Sequence, residues 1–157
     1  MVKELIVSWE RFGDMSEKLA DRLAEDYGKR IDIVVGLARG GILLSMVISE
    51  RLNRELTFMR VKSYTAKHKE GKPRLVFDIQ SDISKKTVLL VDDLSDTGET
   101  FKFSVNHLKK YKPKKIITAS MHIKPWTKFV PDLYLEKTDR WVVYPWGKNR
   151  EKKAREL

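Results

Sequence analysis

The chain of 157 residues contains no cysteine and no apolar run long enough to cross a bilayer. The first absence excludes disulfides, thiolate nucleophiles and cysteine-ligated metals. The second excludes a transmembrane helix, which needs about 18 or more apolar residues in a row. Positions 3, 4, 10 and 11 are already charged. We therefore expect no signal peptide, no membrane partner and a cytoplasmic location.

Internal repeats, low-complexity blocks and linkers are also absent, so we expect one domain over residues 1–157. The G-x-x-x-x-G-K-[ST] and G-x-G-x-x-G nucleotide motifs are missing as well. Basic residues are abundant: 32 Lys and Arg stand against 22 Asp and Glu, a net charge of +10. This excess attracts small phosphorylated molecules and nucleic acid alike, so charge alone does not choose between them.

Residues 87–100, TVLLVDDLSDTGET, are the most informative stretch of the chain. The apolar run over 87–91 predicts a buried parallel strand that ends in Asp92 and Asp93. Asp96 follows in a turn, and Gly98 precedes a predicted helix. Ligands bind at the carboxyl ends of such strands, and a helix N-terminus offers free N–H groups to an anion. Acids beside a phosphate cradle indicate a phosphorylated sugar.

Three other interpretations of this stretch are open. A strand that ends in Asp-Asp can be a Walker B element, although its P-loop partner is missing here. The acids could form a receiver-type pocket, which does not require the Asp-Thr-Gly-x-Thr continuation. In the purely structural alternative, Thr97 and Gly98 are ordinary turn residues and the acids are solvated.

A second glycine-rich segment spans residues 36–41, GLARGG. Its small residues let backbone N–H groups approach a ligand, and Arg39 offers a guanidinium to phosphate oxygens. The alternative is a tight turn with a solvated arginine.

Strand and helix patterns alternate along the chain. Helical spacing covers residues 14–27, with a start resembling a capping box at Asp14 and Glu17. This alternation predicts an α/β fold with a central, mostly parallel sheet flanked by helices. The other expected elements are strands over 31–35, 56–61, 87–91 and 115–121, helices over 42–52 and 99–111, and an irregular polar stretch over 63–86.

Residues 88–100 resemble the phosphoribosyl-pyrophosphate (PRPP) signature of the type I phosphoribosyltransferases: an apolar strand, Asp-Asp, two residues, then Asp-Thr-Gly-x-Thr. The resemblance implies that fold with a small hood at about residues 63–86, PRPP as donor and Mg²⁺ as cofactor. Asp92 and Asp93 would bind the ribose, and Asp93 also the metal. Asp96 would accept a proton from the base. The 5-phosphate would be held by Ser95, Asp96, Thr97, Gly98, Glu99 and Thr100.

Other segments take their roles from the same resemblance. The loop at Ala38, Arg39 and Gly40 is similar to the family's pyrophosphate loop, which often holds a cis peptide, here between Ala38 and Arg39. Ser63-Tyr64 resembles the start of the hood in 6-oxopurine enzymes, and a closed hood would exclude water. Lys69 is the preferred pyrophosphate contact among the basic hood residues Lys67, Lys69, Lys72 and Arg74, whereas His68 is interpreted as a surface residue.

The acceptor must be inferred from a base-binding segment at about residues 122–146. Lys124 follows the strand over 115–121, and a lysine can donate to the exocyclic oxygen of a 6-oxopurine. Lys124-Pro125 and Trp141-Val142 resemble the xanthine–guanine group of the family, in which the backbone at the Trp and its neighbour reads the base. The alternatives are a surface lysine and a small hydrophobic corner at residues 141–146.

The resemblance implies purine salvage: transfer of a 5-phosphoribosyl group from PRPP to N9 of xanthine, guanine or hypoxanthine, giving a purine nucleotide and pyrophosphate. A homodimer or homotetramer is expected, and nucleic acid is not an expected partner. The rival interpretations are a non-catalytic PRPP or nucleotide sensor that binds nucleic acid and a transferase for adenine or a pyrimidine. No role is assigned to the basic tail over 147–157.

Overall fold

A computed structural model describes residues 3–63 and 72–147. Its mostly parallel central sheet with flanking helices confirms the predicted fold class. No helix in those ranges has the length and apolar character needed to cross a membrane. The elements are β1 (Glu4–Ile6), α1 (Trp9–Asp26), β2 (Ile33–Leu37), α2 (Ile42–Leu52), β3 (Glu55–Ser63), β4 (Pro73–Phe77), β5 (Thr87–Ser95), α3 (Glu99–Leu108), β6 (Lys115–Ile123), β7 (Leu133–Lys137) and β8 (Trp141–Val143).

The six strands of the main sheet run in the order β4-β3-β2-β5-β6-β7. All neighbours are parallel except β3 and β4. Helices α1 and α2 share one apolar cluster with the sheet, and α3 contributes to a second cluster. Alternate residues of a strand point to opposite faces, so Val34 joins the first cluster while Ile33 and Val35 join the second. The continuous apolar runs of β2 and β5 therefore reflect burial on both faces.

The first helix begins five residues before the predicted start at Asp14. Ser8 is its N-cap, and the Ser8 hydroxyl accepts a hydrogen bond from the N–H of Arg11 at 3.1 Å. The prediction of a start at Asp14 and Glu17 was wrong because the apolar stripe already includes Phe12, which packs in the core. Asp14 therefore lies inside the helix.

Strand β5 continues past the predicted end at residue 91 and includes Asp92, Asp93 and Ser95. Its partner β2 pairs only as far as Val91, whereas β6 pairs as far as Ser95. Strand β5 has neighbours on both sides only as far as Val91, whereas its hydrogen bonds to β6 continue to Ser95. The acids therefore project from an ordered strand rather than from a loop.

The stretch over 63–86 is more regular than expected, because β4 pairs antiparallel with β3 at the sheet edge. A second sheet was not predicted: β1 pairs in parallel with β8. This pairing joins the amino-terminal segment to the predicted base-binding segment. Tyr64, Lys67, His68 and Lys69 lie outside the described residues.

Candidate active site

A cavity of about 650 Å³ opens at the carboxyl ends of β2 and β5. It brings together four segments that are far apart in sequence: the glycine-rich loop after β2, strand β3, the acidic end of β5, and the residues from β8 onward. The predicted site residues in its lining are Ala38, Arg39, Gly40, Asp93, Trp141 and Val142.

The loop after β2 packs directly on the acidic end of β5. The Ala38–Arg39 peptide is cis, as the resemblance implied. A Cβ atom on Gly40 would lie 2.5 Å from a carboxylate oxygen of Asp93. A Cβ atom on Gly41 would lie 2.6 Å from the backbone oxygen of Val91. Both positions therefore require glycine, since Cβ contacts this short do not occur.

Asp92 and Asp93 are half-buried neighbours, and Asp92 Oδ1 accepts a hydrogen bond from the Asp93 N–H at 2.9 Å. Desolvation by the surrounding protein raises the pKa of Asp93 to about 6. Desolvation, together with the charge of Asp93, raises the pKa of Asp92 well above its usual value. A cation or a hydroxyl donor beside these two carboxyls would stabilise their ionised forms.

The loop after β5 forms a small concavity of about 70 Å³. Gly98 has a φ of +88°, and a Cβ atom there would lie 2.5 Å from the backbone nitrogen of Phe129. Helix α3 begins directly afterwards, so its free N–H groups face this loop. The lining includes five of the six residues predicted for the 5-phosphate, namely Ser95, Asp96, Thr97, Gly98 and Thr100, but not Glu99.

Two hydroxyls of that loop are already engaged: Thr97 accepts a hydrogen bond from the N–H of Glu99 at 3.3 Å, and Ser95 bonds to the neighbouring loop. It donates to the backbone oxygen of Phe129 at 2.8 Å and lies 3.0 Å from the hydroxyl of Thr127. Its backbone oxygen accepts a hydrogen bond from the N–H of Lys124 at 3.0 Å. The Ser95 side chain therefore fixes the loop that carries Thr127 and Phe129.

Lys124 and the segment before Trp141 are in contact. The Lys124 ammonium, in a side chain that is almost fully buried, donates to the backbone oxygen of Arg140. Lys124 itself is not part of the cavity lining, whereas Trp141 and Val142 are. Trp141 donates its N–H to the backbone oxygen of Lys3, and Val143 accepts from the N–H of Val7. The peptide groups of Val142, between them, consequently point away from β1.

Sequence reasoning missed two basic residues of β3, Arg60 and Lys62, which line the cavity beside Arg39. Two basic residues at the end of the predicted strand over 56–61 were the available signal, and the structure has a register shift between Arg60 and Val61. Lys72 and Arg74 are exposed and do not line the cavity, and Lys69 lies outside the described residues. The basic wall that the structure shows is therefore β3.

A buried hydrogen-bond chain supports the acidic strand end and was also missed. The Tyr144 hydroxyl donates to the backbone oxygen of Asp93 at 2.9 Å and lies 2.8 Å from Nδ1 of His122. Burial is the main cause that lowers the pKa of His122 to about 4, so the ring is neutral at physiological pH. The ring of Tyr144 stacks on Trp146 at 4.8 Å. This chain attaches the segment after β8 to β5.

Comparison with known proteins places this geometry in a family. A family model described as phosphoribosyl transferase domain matches residues 4–149. The xanthine-guanine phosphoribosyltransferase of Idiomarina loihiensis is 30% identical over 147 residues, which cover 92% of this chain and 87% of that protein. The hypoxanthine-guanine phosphoribosyltransferase of Streptococcus pneumoniae is 30% identical over 129 residues, or 79% of this chain and 71% of that one.

Solved structures agree with the sequence relatives. The crystal structure of a purine phosphoribosyltransferase from Pyrococcus horikoshii OT3 matches with a TM-score of 0.83 and 35% identity, covering 92% of this chain and 93% of that one. A xanthine-guanine-hypoxanthine phosphoribosyltransferase from Helicobacter pylori shares the fold, with a TM-score of 0.77 at 21% identity over 97% of this chain and 99% of that one. The chain belongs to the phosphoribosyltransferase family.

Proposed function

We propose that this protein transfers the 5-phosphoribosyl group of PRPP to N9 of a 6-oxopurine: xanthine, guanine or hypoxanthine. The bond between C1 of the ribose and the pyrophosphate oxygen breaks, and a bond between C1 and N9 forms. The products are a purine nucleotide and pyrophosphate. The observation that carries the proposal is the contact of Asp93 with Gly40, because it joins a ribose-binding acid to a pyrophosphate loop in one cavity.

The cavity and the small concavity after β5 would each bind one of the anionic ends of the donor. Arg39, Arg60 and Lys62 provide positive charge along one wall, where the pyrophosphate of PRPP would lie. The free N–H groups at the start of α3, with the hydroxyls of Thr97 and Thr100, would hold the 5-phosphate. Asp93 lines the cavity beside Gly40, and it and its neighbour Asp92 would accept hydrogen bonds from the ribose hydroxyls.

Magnesium fits the donor set of this site. Mg²⁺ commonly binds one or two carboxylates and completes its shell with water and substrate phosphates. Among the described residues no cluster of three or more metal-ligating side chains exists, but Asp93 lines the cavity and its carboxylate lies beside that of Asp92. These residues would hold the ion together with PRPP. The bound ion would neutralise charge on the leaving pyrophosphate.

Asp96 is the proposed proton acceptor. Its side chain is exposed at the turn between β5 and α3, beside the phosphate cradle. The transition state has oxocarbenium character, so positioning and charge stabilisation contribute more than a strong nucleophile. When N9 attacks C1, the purine becomes more acidic and the N7 proton passes to Asp96.

The base would be recognised by Lys124 and the backbone of β8. An ammonium has three donors, so the bond from Lys124 to Arg140 leaves two N–H groups for the oxygen on C6 of the purine. In a 6-aminopurine such as adenine, the amino group at C6 is itself a hydrogen-bond donor and would face the donor groups of the Lys124 ammonium. The peptide group of Val142, which points away from β1, would accept from the N–H groups on the pyrimidine edge, and the Trp141 side chain lies beside it.

Pyrophosphate release with five bases tests this proposal. With PRPP and Mg²⁺, we expect release with xanthine, guanine and hypoxanthine and none with adenine or uracil. Lys124→Met should lower kcat/KM for the three 6-oxopurines without raising that for adenine to their level. Activity with adenine or uracil alone would contradict the substrate class, and binding of PRPP without turnover of any base would indicate a sensor.

We also propose that the protein is cytoplasmic and forms a homodimer or homotetramer.

A further inference from the structure

Trp126 is a large side chain whose position burial does not explain. It is 53% exposed and follows directly after Lys124 and Pro125 in the connection between β6 and β7. Its indole N–H donates to Oδ1 of Asp96 at 3.1 Å. At this exposure part of the ring does not contribute to the core, and its polar N–H is paired with a carboxylate instead.

The turn that carries Trp126 is fastened to the turn that carries Asp96. The N–H of Lys124 donates to the backbone oxygen of Ser95 at 3.0 Å, and the N–H of Lys128 donates to that of Thr97 at 3.0 Å. These bonds engage the residues on either side of Asp96. Together with the bonds of the Ser95 hydroxyl to Thr127 and Phe129, the indole bond therefore belongs to a set of contacts that fixes one turn against the other.

The same indole faces the proposed base reader. The Lys124 ammonium lies 5.4 Å from the centre of the Trp126 ring, within the range of a cation–π contact. One side chain thus contacts both the acid proposed to accept the proton and the lysine proposed to read the base. We propose that Trp126 is a positioning residue, which holds the Asp96 carboxylate through its indole N–H in the orientation needed to receive the N7 proton.

The physical effect is pre-organisation, and it rests on the proposed function. An exposed aspartate rotates freely about two side-chain torsions, so only a fraction of its conformers can accept the proton. A hydrogen bond to one carboxylate oxygen selects an orientation and leaves the other oxygen free. The positioned carboxylate is used only in the chemical step and the indole does not contact PRPP in the proposal, so loss of the indole donor should appear in kcat rather than in the KM for PRPP.

Substitutions at Trp126 separate its two contacts. Trp126→Phe keeps a ring face for Lys124 but removes the donor, and we expect kcat to fall roughly five- to tenfold with the KM for PRPP unchanged. Trp126→Leu also removes the ring face and should additionally raise the KM for the base. Tyr111→Phe is the matched control, because it also removes an aromatic donor from a carboxylate, that of Asp78. Tyr111 lies after the carboxyl end of α3, so this variant should leave kcat unchanged.

A double-mutant cycle tests whether Trp126 acts through Asp96. In an Asp96→Ala background, Trp126→Phe should cause no further loss of kcat, because the partner of the indole is gone. A readout independent of activity is the indole N–H resonance of Trp126, which should shift in Asp96→Ala while that of Trp9 does not.

The outcomes are distinct. An active wild-type enzyme with unchanged kcat in Trp126→Phe, or equal losses in both backgrounds, would overturn the positioning role and leave the proposed function intact. A rise in the KM for the base alone in Trp126→Phe would overturn it too, because it would show direct contact with the substrate. No turnover of any base by the wild type would overturn the proposed function and, with it, this inference.

Discussion

The carboxylate of Asp93 lies against the α-carbon of Gly40, so close that an added Cβ atom would be 2.5 Å from its oxygen. Gly40 lies in the loop after β2 and Asp93 in β5, so their contact joins the proposed pyrophosphate loop to the acidic end of β5. Any side chain at position 40 must displace one of these two groups.

Gly40→Ala should therefore disable the site more than it destabilises the fold. We expect kcat/KM for PRPP to fall at least about 100-fold, because displacement of about 1 Å in a catalytic group costs that much. Steady-state kinetics and thermal unfolding measure the two effects. Gly13→Ala is the matched control: no atom lies within 4 Å of its added Cβ, and alanine should stabilise α1 by up to about 1 kcal/mol. Equal kinetics in both variants would contradict the contact.

Asp96→Asn should lower kcat far more than it weakens PRPP binding. The amide keeps the shape of the side chain and can accept the indole bond, but it cannot accept a proton. General-base contributions are typically about 100- to 10,000-fold, so we expect a loss in that range. Single-turnover kinetics and calorimetric titration of PRPP measure the two quantities. An unchanged kcat would exclude Asp96 as the base.

Tyr144→Phe should loosen the segment after β8. The hydroxyl is buried between the backbone oxygen of Asp93 and Nδ1 of His122, and both would lose a partner. We expect a loss of about 2 kcal/mol in the free energy of unfolding and a higher KM for the base. Urea denaturation and base titration measure these. Tyr134→Phe on β7 serves as the control and should change neither value.

The stability of the ligand-free protein should depend on pH in two opposite ways. The pKa of Asp93 is raised to about 6, so its contribution is present at acidic pH below its usual pKa and is lost as pH rises through 6. The pKa of His122 is lowered to about 4, so its contribution is present above about pH 6.5 and lost as pH falls through 4.

Variants separate these two contributions. As pH rises from 4 to 7, the wild type should lose stability relative to Asp93→Asn. Relative to His122→Gln, the wild type should gain stability over the same range, by up to about 3 kcal/mol. Urea midpoints at each pH provide the measurement, and differences that do not vary with pH would contradict both pKa shifts.

The sequence alone determined the fold class and the two loops proposed to bind the donor. Apolar strands and amphipathic helices obey local periodicities, so their alternation predicted the parallel sheet. The 92–100 turn and the 38–40 loop are each one continuous stretch of the chain, so their motifs can be recognised in the sequence without a structure. Element ends were less accurate: Ser8 caps α1 where Asp14 was expected, and β5 runs on to Ser95 because its pairing with β6 outlasts its burial.

Only the tertiary structure decided what meets at the cavity. The contact of Gly40 with Asp93 joins residues 53 positions apart. Arg60 and Lys62 line the cavity because the sheet places β3 beside β2, and β8 is fixed by pairing with β1 at the other end of the chain. The bond of Trp126 to Asp96 likewise crosses between two turns. Such contacts depend on which strands are neighbours, and that follows from burial of the whole chain rather than from any local pattern.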